Sequence, residues 1–249
     1  MRRTLSTFIT LSAFIALGLT ATVSTAAEDW NYEVGIYGWL AGLEGTIGVA
    51  NVVEEPVDAT FDDLASHVDF AMAAHFEARG TKVVWLADIS YTGLGSEKDA
   101  QVLNQPVKVD MDLDQWIVEL GGGYQVSQKF DILLAGRYYD INTGATFTAE
   151  EGDNSGSVSQ GWFDVFVGAR YHSAFGKHWF GSIRGDIGAG GSDFAWFGQI
   201  LLGYNISEHF GAVASWRLLS LDYSGDDGAS YFRYDVTQSG LGLGLGYRF

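Results

Sequence analysis

The sequence predicts an all-β protein: a transmembrane antiparallel up-and-down barrel of about ten strands, with eight or twelve as the alternatives. Three observations point there. Ten stretches beyond residue 27 alternate with period two. One face of these stretches carries no charged side chain, although 18% of the chain is charged and about ten charges would fall there by composition. Aromatic residues gather at both ends of that uncharged face.

Bulk properties narrow the class. The 249 residues carry a formal net charge of -17 and contain no Cys. Such an acidic chain lacks the attraction to phosphates that a nucleic-acid partner requires. Without thiols there is no thiolate catalysis, no Cys-based zinc or iron–sulfur site and no disulfide framework. At the start, Arg2 and Arg3 precede a mostly apolar stretch from Phe8 to Val23, and Ser24, Thr25 and Ala26 are small. Residues 1–26 therefore read as a signal peptide cut after Ala26 or Ala27, leaving 27–249 as the barrel domain. A retained anchor is the alternative, but the apolar stretch is short of the ~20 residues a spanning helix needs. No later apolar run is long enough for such a helix, so a membrane protein of this sequence must cross with strands.

The first stretch sets Trp30, Tyr32, Val34, Ile36, Gly38 and Leu40 against Asn31, Glu33, Gly35, Tyr37, Trp39 and Ala41. The second sets Val68, Phe70, Met72, Ala74, Phe76 and Ala78 against Asp69, Ala71, Ala73, His75, Glu77 and Arg79. The third sets Val83, Trp85, Ala87, Ile89 and Tyr91 against Val84, Leu86, Asp88, Ser90 and Thr92. Seven more apolar faces run Trp116 to Tyr124, Phe130 to Tyr138, Phe163 to Tyr171, Trp179 to Ala189, Phe194 to Tyr204, Phe210 to Leu218 and Leu241 to Phe249. Successive side chains of a strand point to opposite faces, so two different surroundings produce this alternation.

A soluble sandwich would alternate too, with its apolar face inside. The aromatic positions separate the two folds. Tyr124 and Phe130, Tyr171 and Trp179, and Tyr204 and Phe210 bracket short connections, while Trp30, Tyr247 and Phe249 sit at the chain ends. Tyr91, Trp116, Tyr138, Phe163, Trp196 and Trp216 mark the other ends of the strands. Two such rings suit the two interfaces of a bilayer, whereas a sandwich has no use for them. Short connections at Gly80-Thr81, 126–129, 173–177 and 205–209 lie beside the first ring. Long acidic ones are expected near 42–67, 93–106, 142–160 and 222–233, with only Gly190 to Asp193 tight on that side. Short periplasmic turns and long outer loops put both termini on the periplasmic side of an outer membrane.

The tail Gly240-Leu241-Gly242-Leu243-Gly244-Leu245-Gly246-Tyr247-Arg248-Phe249 resembles the terminal strand of bacterial outer-membrane proteins. The resemblance implies that Leu243, Leu245, Tyr247 and Phe249 form the signal read by the barrel-assembly machinery. Trp39-Leu40-Ala41-Gly42-Leu43-Glu44-Gly45, His75-Phe76-Glu77-Ala78-Arg79, Gly168-Ala169-Arg170-Tyr171 and Arg184-Gly185-Asp186-Ile187-Gly188 are similar to blocks in a group of small, largely uncharacterised outer-membrane barrels of the porin superfamily of Gram-negative bacteria. The likeness runs from about residue 30 to the end. It implies location and architecture and brings no catalytic residues. Members often carry Pro after the Asp of the sixth strand, where this chain has Asp164-Val165.

The other faces, which would line the lumen, hold a charge network of Glu33, His75, Glu77, Arg79, Asp88, Glu119, Arg137, Asp164, Arg170, Arg184, Asp186, Arg217 and Arg248, with Asp69 and Asp131 on the same side. Arg occupies these faces while all five Lys fall in turns, loops or strand margins, as suits bidentate pairing with carboxylates. The network could brace the barrel or select solutes. About eight strands leave an interior that side chains fill and about sixteen leave a channel, so ten imply a narrow or closed lumen. Trp39, Tyr139, Trp162, Phe166 and Phe197 also face inward and narrow it.

No catalytic set, metal site or cofactor is expected. A tight Gly80-Thr81 turn would place His75 opposite Leu86, Asp88 diagonal to it, and Ser90 opposite Ala71, too far to act as nucleophile. His67 and Asp69 match outer-membrane proteases only in residue type. Asp110, Asp112 and Asp114 lack the Gly and closing Glu of a calcium loop and read as one face of a strand above the membrane. Thr60-Phe61-Asp62-Asp63 suits the start of a short helix. The expected function is a structural barrel or one with narrow, porin-like passage of small solutes. The alternatives are binding or adhesion through acidic outer loops and, behind these, a membrane hydrolase. Expected partners are outer-membrane lipid, lipopolysaccharide and the assembly machinery, with the barrel a monomer.

Overall fold

The computed structural model describes residues 30–49, 53–59, 68–102, 105–149, 152–226 and 231–249. The expected signal segment, the helix start at Thr60 to Asp63, and His67 lie outside the described residues. The strands are β1 (Asn31–Val49), β2 (Val53–Ala59), β3 (Val68–Arg79), β4 (Val83–Val102), β5 (Gln105–Ser127), β6 (Phe130–Ala149), β7 (Gly152–Phe175), β8 (Trp179–Gly190), β9 (Phe194–Asn205), β10 (Phe210–Asp226) and β11 (Tyr231–Arg248). From β3 to β11 each pairs antiparallel with the next; β1 joins β3, and β11 returns to β1 to close the ladder. The fold is a transmembrane antiparallel up-and-down barrel whose wall is β1 and β3 to β11. Closure leaves the wall no free edge, so its backbone groups are satisfied in hydrocarbon. Among the described residues no helix is long and apolar enough to cross a membrane; the crossing is made by strands.

β2 was not expected. The lower part of β1 pairs with β3, from Asn31↔Arg79 to Tyr37↔Ala73, and its upper part pairs with β2, from Leu43↔Ala59 to Val49↔Val53. The long loops expected at 93–106, 142–160 and 222–233 are also mostly strand. The β4–β5 ladder continues to Val102↔Gln105, β6–β7 to Ala149↔Gly152 and β10–β11 to Asp226↔Tyr231.

The physical reason is a change of solvent along the strands. Within the membrane the outward side chains are apolar: Leu120 and Leu134 are 70% and 63% exposed, while inward Asp131 is fully buried. Above the outer aromatic ring the alternation persists with its polarity reversed. On β10, Leu219, Leu221 and Tyr223 are buried inside while Ser220, Asp222 and Ser224 face out. On β11, Phe232, Tyr234 and Val236 are buried while Arg233, Asp235 and Thr237 face out. The outward apolar face ends at the membrane border, whereas the strand goes on.

The turn end is compact, with connections at 80–82, 128–129, 176–178 and 206–209. Gly176, at φ 75°, takes the left-handed conformation its turn needs. Tyr32 and Phe249 exchange backbone hydrogen bonds of 3.2 and 3.0 Å, which ties the two ends of the barrel chain together. The opposite rim is uneven, because β8 and β9 have 12 residues each whereas β7 has 24.

Candidate functional site

The lumen is divided by height into a charged lower section and an aromatic upper one. Near the turns, Asp131 receives two guanidinium groups: Arg79 through Nη1 and Nη2 at 3.2 and 2.8 Å, and Arg170 through Nε and Nη2 at 3.1 and 2.9 Å. Arg170 also donates to Glu77 at 2.6 Å and Arg79 to Glu77 at 3.1 Å. Glu33 and Arg248 pair at 2.8 Å beside the rim. One layer up, Arg137 and Arg184 face Glu119 and Asp186: Arg137 lies 2.7 and 3.3 Å from the two carboxylates, Arg184 2.8 and 2.9 Å. The Arg137 guanidinium also stacks 4.3 Å over the Phe166 ring.

Arg217 is placed differently. Its Nη1 donates to the Tyr37 hydroxyl, which donates to Asp88 Oδ1 at 2.7 Å, and Asp88 Oδ2 lies 3.2 Å from His75 Nδ1. Among the described residues no carboxylate lies within ion-pair distance of Arg217. Instead its guanidinium sits over the rings of Trp39, Tyr37 and Phe197, at 4.8, 5.0 and 5.3 Å.

Above this layer the lumen is filled. Trp162 packs between Tyr139, at 5.1 Å, and Tyr223, at 4.0 Å with the planes 13° apart. Leu43, Ile141, Leu219, Leu221, Phe232 and Tyr234 join the same core. The Trp162 indole N–H donates to Ser192 Oγ at 2.8 Å, and the Ser192 backbone N–H donates to Asp164 Oδ1 at 2.8 Å. The short β8–β9 connection is thus drawn into the lumen as part of its cap. Gln238 on β11 reaches Gln115 on β5 at 2.9 Å, bridging strands that do not adjoin.

A cavity of about 440 Å³ remains below the cap and extends to the turn-side rim, where Asn31, Asn205 and Arg248 line it. Phe180, Leu201 and Val213 form an apolar wall; His75, Glu77, Arg79 and Arg170 form a charged one. A second space of about 20 Å³ beside Trp39 and Gln238 has room for a water molecule.

Two sequence expectations change. Gly80 donates its N–H to the Val83 carbonyl at 2.9 Å and Arg79 pairs with Val84, so the turn is longer and His75 stands directly opposite Asp88. Ser90 accordingly faces Ala73 rather than Ala71, still two residues along the strand from Asp88, and gives the His–Asp pair no nucleophile. Asp164 points inward opposite Arg137 but makes no ion pair among the described residues; its carboxylate caps Ser192 instead. Asp131, left outside the expected network, lies at its centre. Leu219, Leu221, Tyr223, Phe232, Tyr234 and Val236 were also missed, although continuing the period of β10 and β11 past the aromatic ring would have found them. Leu243, Leu245 and Tyr247 lie on the outward face of β11 and Phe249 follows its last residue, all exposed by 37 to 60%. Asp112 and Asp114, read from the sequence as one face of a strand, both face outward on β5.

No protein-family model matches the chain, and no curated protein sequence matches it. Among solved structures it is similar to Ail, the attachment invasion locus protein of Yersinia pestis, at 15% identity over 89% of this chain and 99% of that one, with a TM-score of 0.40. It is similar to the Pseudomonas putida toluene transporter TodX at 10% identity over 90% of each chain, TM-score 0.37. The translocator domain of the autotransporter NalP from Neisseria meningitidis gives 10% identity over 91% of this chain and 90% of that one, TM-score 0.42. The barrel assignment rests on the closed ladder and its exposed apolar band.

Proposed function

We propose that the protein is an outer-membrane barrel serving as a braced, closed element of the envelope, without through-passage of solutes in this conformation. The observation that supports this is the packing of Trp162 between Tyr139 and Tyr223 across the upper lumen. Cross-lumen ion pairs brace the lower section, and the cavity of about 440 Å³ lies below the aromatic packing and reaches the turn-side rim. On this reading residues 1–26 direct export, and the assembly machinery engages the β11 tail. The turn end and both termini face the periplasm, the barrel is monomeric, and Asp112, Asp114 and Asp140 meet the lipopolysaccharide headgroups. No catalytic role is assigned: Asp88 accepts from Tyr37 and faces His75, Arg217 donates to Tyr37, and Ser90 stands two residues along the strand.

Planar-bilayer recording tests the closed state. The native barrel gives no steady current above background, whereas Trp162→Ala combined with Tyr139→Ala opens the cap and gives ohmic steps. Steady conductance by the native protein would overturn the closed reading in favour of porin-like passage.

A further inference from the structure

We infer that the turn-side chamber is a binding site for a small amphipathic monocarboxylate, its head held beside Arg217 and its apolar body against Phe180, Leu201 and Val213. Three features of the chamber converge on that chemistry.

The first is a row of donors. Gln199 on β9 stands directly opposite Arg184 on β8 and Arg217 on β10, and all three line the cavity. Arg184 is already committed to Glu119 and Asp186. Arg217 makes one hydrogen bond among the described residues, to a neutral hydroxyl. Gln199 and the neighbouring Ser215 make no side-chain hydrogen bond to the described residues. A guanidinium beside a primary amide and a hydroxyl suits a planar, two-oxygen acceptor.

The second is charge. The other five lumen guanidiniums each contact a carboxylate, and those carboxylates are thereby engaged. Arg217 alone lacks a direct counter-ion, with Asp88 set beyond Tyr37. With its nearest carboxylate behind a hydroxyl and its Nε without a hydrogen-bond partner among the described residues, Arg217 favours a single anionic head over a cation.

The third is shape. Phe180, Leu201 and Val213 present an apolar surface, while Gly35, Gly242 and Gly246 leave the β1–β11 wall bare. A volume of about 440 Å³ lies in the lower part of the range of small-molecule sites. The rim lined by Asn31, Asn205 and Arg248 gives entry from the turn side.

Calorimetric titration of octanoate into the full barrel in zwitterionic nanodiscs, with empty discs as the blank, tests the site, and 1-octanol is the uncharged probe of equal length. Octanoate binds saturably, one per barrel, and octanol at least about 10-fold more weakly. Arg217→Gln removes the preference for octanoate, and Val213→Trp, which fills the apolar wall, weakens both probes. Absence of saturable octanoate binding, equal affinity for the two probes, or an unchanged preference in Arg217→Gln would overturn the proposal. Should Arg217→Gln fail to fold, as judged by loss of the heat-modifiable gel shift, Gln199→Leu decides: it lowers octanoate affinity several-fold, and an unchanged affinity overturns the proposal. These outcomes do not depend on whether the barrel conducts.

Discussion

Arg170 on β7 holds Glu77 on β3 at 2.6 Å although β4, β5 and β6 stand between their strands, so the pair spans the lumen instead of running along the wall. Both side chains are mostly shielded from water. Together with Arg79 and Asp131 they make a two-plus-two cluster, and taking away one member leaves a charge with too few partners. Arg170→Met should destabilise the barrel by about 3–5 kcal/mol, read as a lowered urea midpoint in lipid vesicles. A loss below about 1 kcal/mol would show that the cluster contributes little bracing.

The upper lumen should behave like a conventional core. Trp162→Ala removes a large ring stacked on both sides and leaves the Ser192 hydroxyl without its indole donor. A cost of about 3–5 kcal/mol follows, with faster proteolysis at the β8–β9 connection. Trp162→Phe, which keeps the stacking and loses only the N–H, should cost much less.

Charge tolerance should depend on height. Leu134→Arg places a cation on the hydrocarbon-facing side of β6, midway between the girdle residues Phe130 and Tyr138, and should cost about 2–4 kcal/mol. Ser220→Arg and Thr237→Arg, outward on β10 and β11 above the aromatic ring, should fall within about 0.5 kcal/mol of wild type. Equal costs at the two heights would contradict the reversal of polarity.

Tryptophan quenching by brominated lipid offers an independent check. Trp85, Trp116 and Trp216 are 42 to 56% exposed on the outward face, whereas Trp39 and Trp162 are 6% and 5% exposed inside. Single-tryptophan variants that retain Trp85, Trp116 or Trp216 should be quenched, while those retaining Trp39 or Trp162 should not.

The wall was legible because hydrocarbon demands an unbroken apolar face, so positions such as Val34, Leu120, Ile200 and Leu243 declare their strand and their side. The same rule identified Arg79, Arg137, Arg170 and Arg217 as interior residues. It did not reveal their partners. Partnership across the lumen depends on which strands face one another, and the offset at the Gly80 turn shifts His75 against Asp88 by two positions. The upper strands were read as loops because water outside removes the demand for outward apolar residues; Asp222 and Asp235 look like loop residues until their neighbours Leu221 and Tyr234 are followed inward. The setting of Arg217 could not be inferred either, since Asp88 reaches it across the lumen, with β11, β1 and β3 between their strands and the Tyr37 hydroxyl between the two side chains.

Because β10 and β11 hold one unbroken alternation through both solvents, each half of a strand fixes the phase of the other. Deleting a single amino acid between Trp216 and Leu219 would leave the upper segment of β10 rotated, turning Leu221 and Tyr223 toward water and Ser220 and Asp222 into the aromatic packing. Natural variation in these strands should therefore come as exchanges, or as losses and gains in pairs, with odd-numbered length changes confined to the hairpin tips.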